Sequence, residues 1–194
     1  MKEIIILVSG VAGTGKTTLS NLLVSELKLD HHIGLGWIRE TVCAHVKEED
    51  FPELFSFSFK PVEDVDIFHH FYKQAMQMKP SIEACLKRAR REGTSVVIEG
   101  VNLIPEIIDD SLFDFHFFLQ SKGEDGHKQM LLGKSHSKRE IKEEDFQKIR
   151  EIERKFLDLC DKNEKVYVIP AGDNQERLNK IWNIIKEEKN EILS

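Results

Sequence analysis

The sequence predicts an α/β fold of three layers, with a five-stranded parallel sheet covered by helices on both faces. Three observations point to it. Short apolar runs of strand type alternate with stretches of helical spacing along the whole chain. That alternation is the signature of parallel strands joined by helical crossovers. The first apolar run, residues 4–8, leads directly into Gly10-Val11-Ala12-Gly13-Thr14-Gly15-Lys16-Thr17-Thr18, which fits G-x-x-x-x-G-K-[ST]. Beyond the glycines, Leu19, Leu22, Leu23 and Leu27 recur at helical spacing. Strand, glycine loop and helix in this order form the setting of a phosphate-binding loop, with a helix N-terminus behind it. The chain is therefore expected to have a P-loop NTPase fold.

Taken in order, residues 3–8 read as the first strand and 16–28 as the first helix. Residues 31–34 make a very short second strand. Gly34-Leu35-Gly36 then breaks the chain, and 37–46 has helical spacing. Residues 47–64 carry Phe51, Phe55, Phe57 and Phe59 without clean periodicity. They read either as a mobile or partner-packed segment over a substrate site, or as a surface excursion whose aromatics plug the core. Residues 65–78 and 80–92 are two helices, or one helix broken near Pro80, because proline removes an N–H and clashes with the preceding turn. Gly93 is a natural stop. Residues 95–99 form a buried strand ending in Glu99. A loop follows, then a short helix over 106–111 and a strand over 113–119. Residues 121–140 are polar and rich in Gly, Lys and His. Residues 144–163 are a long amphipathic helix with Phe146, Ile149, Ile152, Phe156, Leu157 and Cys160 inward. Residues 166–169 are the last strand. Residues 174–193 are the last helix, with Leu178, Ile181, Trp182 and Ile185 inward.

Length and composition bound the function. A chain of 194 residues is expected to be one domain spanning 1–194. The formal net charge of −6 argues against general nucleic-acid binding. Cys43, Cys85 and Cys160 are odd in number and widely spaced, which suits a reducing, cytoplasmic setting with mostly buried thiols. The first apolar run is too short for a signal peptide, and no stretch has the length of a membrane span. Oligomeric state is left open, a homodimer included.

The ligand is expected beyond the C-terminal ends of the strands, where the glycine loop and Glu99 emerge together. Gly10, Gly13, Thr14, Gly15, Lys16, Thr17 and Thr18 are the nucleotide-binding candidates. Glycines let successive N–H groups turn inward, Lys16 reaches the outer phosphates, and the Thr17 hydroxyl ligates Mg²⁺. Glu99 either organises Mg²⁺ and an acceptor hydroxyl, or caps the next turn. Cations over a moving phosphoryl group are sought at 121–140, with Lys134 and Arg139 as the catalytic candidates among Lys122, Lys128 and Lys138; the alternative is a solvated charged loop. Arg39 is a candidate clamp for an anionic acceptor, or else a surface ion pair. His31-His32, His69-His70 and His127/His136 lack a convincing metal constellation.

With these residues in place, the chain resembles P-loop small-molecule kinases, most of all the 2-phosphoglycerate kinase group. The resemblance rests on residues 10–18, on Ile38-Arg39-Glu40, on Ile82-Glu83-Ala84 with Arg88-Ala89, on Val97-Ile98-Glu99-Gly100-Val101-Asn102-Leu103-Ile104-Pro105, and on Ile149-Arg150-Glu151-Ile152. It implies a nucleoside-monophosphate-kinase-like core, ATP with Mg²⁺, and transfer to a small anionic acceptor. It places an acceptor region at about 35–80, with Trp37, Arg39 and Asn102 as substrate-binding candidates, and a lid at about 121–140. Three departures stand out. Leu35-Gly36-Trp37 occupies the place of an expected Thr-Asp pair, Asn102 that of a histidine, and Met130 that of a lid arginine. A nucleoside or nucleotide kinase of the same fold, or a nucleotide-binding regulatory protein with little transferase activity, are the other expectations.

Overall fold

The computed structural model describes residues 3–62, 65–132 and 141–193; side chains are described to residue 131 before the gap and to residue 188 at the end. Five parallel strands form one sheet in the order β2-β3-β1-β4-β5. In chain order they are β1 (Ile5–Ser9), β2 (His31–Gly34), β3 (Val96–Glu99), β4 (Phe115–Leu119) and β5 (Val166–Ile169). The helices are α1 (Lys16–Leu27), α2 (Leu35–Cys43), α3 (Ile67–Glu92), α4 (Glu124–Leu132), α5 (Glu143–Cys160) and α6 (Asn174–Leu193). This is the three-layer parallel architecture expected from the alternation.

The central strands are buried on both faces, which is why they read as unbroken apolar runs. Side chains alternate between the two layers. Ile4, Ile6, Val8, Phe117 and Leu119 pack against Leu19, Leu23, Leu178, Ile181 and Ile185 of α1 and α6. Ile5, Leu7, Ile98 and Phe118 pack against Phe71, Met78, Ile82, Ile149 and Phe156 of α3 and α5. On that second face Phe156 lies 4.6 Å from Phe118 and 6.0 Å from Phe71 between ring centroids. The register sets Val8 beside Glu99 and Gly34 beside Glu99. Three strand ends therefore meet at one rim.

Several expectations need correction. The segment 65–92 is one continuous helix with Pro80 inside it. Pro80 and Met76 both lie on the exposed side, so the carbonyl freed by the missing N–H faces water. Ala75, Met78, Ile82 and Leu86 pin both halves to the sheet. Gly36 does not break the chain, since α2 begins at Leu35. In place of the short helix expected over 106–111, a single 3-10 turn forms over Asp110–Leu112. Glu106 takes a left-handed φ of 68°, which keeps helix from starting there, and the Asp109 carboxylate caps the turn, accepting from the Ser111 N–H and hydroxyl at 2.9 and 2.7 Å. The segment 47–62 divides the two readings offered for it. Leu54 and Phe59 are buried, whereas Phe51, Phe55 and Phe57 stay partly exposed. Trp182 is 39% exposed rather than inward, with Lys186 over its ring at 4.9 Å. Of the thiols, Cys160 is buried and Cys43 and Cys85 are half-buried.

The aromatic contact between Phe118 and Phe156 joins β4 to α5 and fixes the face on which α5 packs. Phe156→Ala removes a fully buried ring and is expected to destabilise the fold by about 3–5 kcal/mol. Equilibrium urea denaturation of both proteins measures it. A change under 1 kcal/mol would mean that this layer packs loosely.

Candidate phosphate and acceptor site

The loop between β1 and α1 turns its Ala12 and Thr14 carbonyls outward. Gly10 has φ 139° and Gly13 has φ 79°, values that L side chains rarely adopt. A Cβ on Gly10 would stand 2.7 Å from the Leu119 carbonyl oxygen, and one on Gly13 2.7 Å from the Leu131 side chain. Each of these carbonyls, and that of Val11, has a donor. The Thr14 hydroxyl and the Lys16 ammonium donate to Val11 O at 3.0 and 2.8 Å. The His127 ring bonds Ala12 O through Nε2 at 2.7 Å. Arg177 donates to Thr14 O through Nη1 at 2.6 Å. A trans peptide points its N–H opposite its carbonyl. The carbonyls of Ala12 and Thr14, held from α4 and α6, therefore direct the N–H groups of Gly13 and Gly15 to the inner side, where they can receive an anion.

Beside this nest, the Thr17 hydroxyl donates to Glu99 Oε1 at 2.8 Å. Thr17 begins α1 and Glu99 ends β3, so the strand register brings them together. Thr18, the next residue of α1, is exposed. The space over Gly34 is flanked by Glu99 Oε1 and the Trp37 ring, 3.5 and 3.7 Å from the position of an added Cβ. Trp37 is 81% exposed at this rim.

Arg39 and Asn102 meet through one loop rather than facing each other. Arg39 donates to Ser56 O at 3.1 Å and pairs with Glu40 at 3.0 Å. Its Nε is buried without a hydrogen-bond partner. Asn102 donates to Gln74 Oε1 at 2.9 Å, and Gln74 donates to Glu53 O and Ser56 O at 2.6 and 3.0 Å. His70 shares Ser56 Oγ at 3.1 Å, and burial lowers its pKa. Arg39 thus has the Glu40 contact expected of a surface pair and, in addition, ties α2 to residue 56.

The segment 121–132 is helical in part, a correction to its reading as a polar loop. Glu124 and Asp125 favour the first turn of α4 through the helix dipole. His127 and Leu131, four residues apart, lie on the face that covers Ala12 and Gly13. Burial lowers the His127 pKa against the pull of the Ala12 carbonyl. Lys128 pairs with Glu143 at 2.8 Å and stands 5.0 Å over the Phe146 ring, so its charge is turned to α5. Lys134 and Arg139, with His136 and Lys138, lie outside the described residues.

Three features escape a reading of the sequence. Arg177 is 5% exposed in the first turn of α6. Glu153, 3% exposed, accepts from the Ser121 N–H and hydroxyl, both at 2.6 Å, and from Arg150 at 2.5 Å. It fastens α5 to the exit of β4. His116 on β4 shares a hydrogen bond with Ser9 Oγ at 2.7 Å, just before the glycine loop, and burial pushes its pKa down to about 3. Arg177 and Glu153 stand among other polar residues of their helices, and His116 alone stands among aromatic ones. The only available signal was a polar side chain at an inward position, as with His116 between Phe115 and Phe117. A surface cavity of about 310 Å³ lined by His31, His32, Cys85 and Glu92 lies along β2 and contains none of the candidate residues. Among the described residues no His/Cys/Asp/Glu group suits a metal ion, and no helix is long and apolar enough to cross a membrane.

No family model matches the chain. In sequence it is similar to 2-phosphoglycerate kinases. One from Methanopyrus kandleri is 26% identical over 187 residues, covering 90% of this chain and 57% of that protein. One from Thermococcus kodakarensis is 23% identical over 192 residues, covering 94% and 65%. The chain thus spans roughly three fifths of the length of these curated relatives. In structure it is similar to deoxyadenosine kinase from M. mycoides, with a TM-score of 0.57, 16% identity and 95% of this chain and all of that chain covered. It is also similar to shikimate kinase from Acinetobacter baumannii, with a TM-score of 0.60, 15% identity and 96% and 95% covered. The fold is that of nucleoside-monophosphate-kinase-like P-loop kinases.

Burial disfavours the charged form of both His116 and His127. A histidine whose folded pKa lies below its unfolded value contributes fully above about pH 6.5 and loses stability as pH falls toward the folded value. Between pH 6.5 and 5, His116 alone is expected to remove roughly 2 kcal/mol. Urea denaturation at pH 7.5 and 5.0 checks it: His116→Gln should show a smaller acid loss than the natural chain. Parallel curves would place the ring in water.

Proposed function

We propose that this chain is an ATP-dependent kinase that transfers the γ-phosphoryl group to a small anionic acceptor of the 2-phosphoglycerate type. The observation that carries the reading is the Thr17–Glu99 hydrogen bond beside a glycine loop whose Ala12 and Thr14 carbonyls are held by His127 and Arg177. Sequence similarity to kinases of that substrate supports the acceptor class. The reading takes residues 1–194 as one kinase domain of the cytoplasm, and unbridged Cys43, Cys85 and Cys160 are consistent with a reducing setting.

Gly10, Gly13, Thr14, Gly15, Lys16, Thr17 and Thr18 hold the triphosphate. Thr17 and Glu99 are hard oxygen donors, only two in number, which suits Mg²⁺ because that ion keeps most of its waters. Bound there, Mg²⁺ would offset charge on the phosphates. The acceptor hydroxyl oxygen attacks the γ-phosphorus in line. The new P–O bond forms as the bond to the β–γ bridging oxygen breaks, ADP leaves with that electron pair, and the hydroxyl proton passes to water. Glu99 Oε2, which takes no hydrogen bond among the described residues, orients that hydroxyl, since no aspartate precedes Trp37. Phosphoryl transfer depends chiefly on positioning and charge stabilisation, so a dedicated base is not required. Lys16 supplies charge at the outer phosphates, Lys134 and Arg139 complete it from the lid, and Trp37, Arg39 and Asn102 bound the acceptor.

The direct test incubates purified protein with labelled ATP, Mg²⁺ and a panel of small hydroxy acids including 2-phosphoglycerate. Label is expected on an anionic hydroxy acid. Saturable ATP binding with transfer to nothing would support the regulatory reading instead. Glu99→Gln keeps the bond from Thr17 but removes the charge. Turnover should drop on the order of 100-fold or more while the melting temperature stays nearly constant; a lower melting temperature with intact specific activity would identify a structural carboxylate.

Arg39→Lys separates the two substrates. Lysine cannot reproduce the guanidinium fork, so the acceptor KM should rise on the order of tenfold and the ATP KM much less. Equal changes in both, or none, would move the acceptor away from Arg39.

A further inference from the structure

Arg177 is a buried cation held by backbone alone. Its Nε donates to Pro170 O at 3.1 Å, its Nη1 to Thr14 O at 2.6 Å and its Nη2 to Gln120 O at 2.6 Å. These carbonyls belong to three separate segments: the glycine loop, the exit of β4 and the exit of β5. No carboxylate forms an ion pair with it among the described residues, and its side chain is almost wholly removed from water. Guanidinium remains charged under all ordinary conditions. Carbonyl dipoles satisfy its N–H groups but bring no net negative charge. A buried charge without a counter-charge is expensive unless something supplies one.

The direction of this charge identifies the supplier. Nη1 is 3.8 Å from the position of a Cβ on Gly15, so the guanidinium stands one peptide layer behind the inner face of the loop. It holds the Thr14 carbonyl outward, and the planar peptide then turns the Gly15 N–H inward. One side chain thereby orients a donor and adds a positive charge behind it, where low dielectric weakens screening. A sequence scan does not connect a residue this far along the chain with the loop.

We propose that Arg177 is a positioning residue of the phosphate site, whose counter-charge is the polyphosphate of the bound nucleotide. The proposal rests on the nucleotide-binding reading of the glycine loop and adds to it a cation from the last helix.

The test uses the full chain and three variants. Arg177→Lys keeps the charge and loses the fork. Arg177→Gln keeps amide donors for the carbonyls and loses the charge. Arg177→Met loses both. Binding of ATP and of inorganic triphosphate, a probe with no base or sugar, is measured by titration calorimetry at two salt concentrations, together with melting temperature without ligand. Gln and Met are expected to weaken both ligands on the order of tenfold or more, with a shallower salt dependence, while Lys recovers a substantial part. A residue needed only for folding would lower the melting temperature equally in Gln and Lys and leave triphosphate affinity of the folded protein unchanged, which would overturn the proposal. Should Met not fold, the comparison of Lys with Gln decides alone. Absence of ATP and triphosphate binding by the natural chain would overturn the phosphate-loop reading itself, and this proposal with it.

Discussion

The structure depends on where the carbonyls of one loop go. An anion nest needs several N–H groups on its concave side, and planar peptides then place the paired carbonyls on the convex side. Those carbonyls sit in the interior and require donors, because a buried unpaired acceptor destabilises the fold. Here His127 serves Ala12 O and Arg177 serves Thr14 O, while Thr14 and Lys16 of the loop itself donate to Val11 O. The donors come from the loop itself, from α4 and from α6. The last two elements follow β4 and β5, of which β4 pairs with β1 and β5 with β4. The strand order is thus also the arrangement that delivers donors to the loop.

Much of this fold was legible. The five strands follow from apolar runs, and the last strand and last helix are found where the spacing put them. The misses at Pro80, at 124–132 and at Trp182 share one cause, which is tertiary contact overriding a local rule. Pro80 breaks a helix in isolation but not where flanking residues on both sides are buried against a sheet. Residues 124–132 look like a loop by composition. They become helix because His127 and Leu131 find a partner surface on the glycine loop. Trp182 lies at an apolar spacing yet remains partly exposed, since the ring packs under Lys186 on the outside of α6.

The site was legible to the extent that its residues are local. The glycine loop announces itself, because its spacing is a backbone requirement. The pairing of Thr17 with Glu99 followed from placing an acid at the end of a neighbouring strand. Arg177, Glu153 and His116 carry no such local mark. Each acts across the fold, Arg177 on Thr14 and Glu153 on Ser121, and in the sequence both look like ordinary charges of an amphipathic helix. Arg39 and Asn102 were found as residues, but their meeting through Ser56 and Gln74 was not, because that network needs a loop without periodicity to fold onto α3.

The two sides of the site are built from different materials, and that difference has a consequence. The phosphate side is backbone, held from behind by buried side chains, so a substitution there alters the orientation of amides shared by any phosphate ligand. The acceptor side is a chain of side-chain hydrogen bonds: Arg39 to Ser56, Gln74 to Ser56 and Glu53, Asn102 to Gln74, with Lys73 and Gln77 on the Glu53 carboxylate at 2.5 and 2.8 Å. Such a network can be rewired one residue at a time without moving β1, the glycine loop or α1. In the proposed reading, chemistry at the γ-phosphate and choice of acceptor are therefore separable, with Glu99 between them: Oε1 faces Thr17 on the loop side, and its strand end adjoins Gly34 and Trp37 on the other.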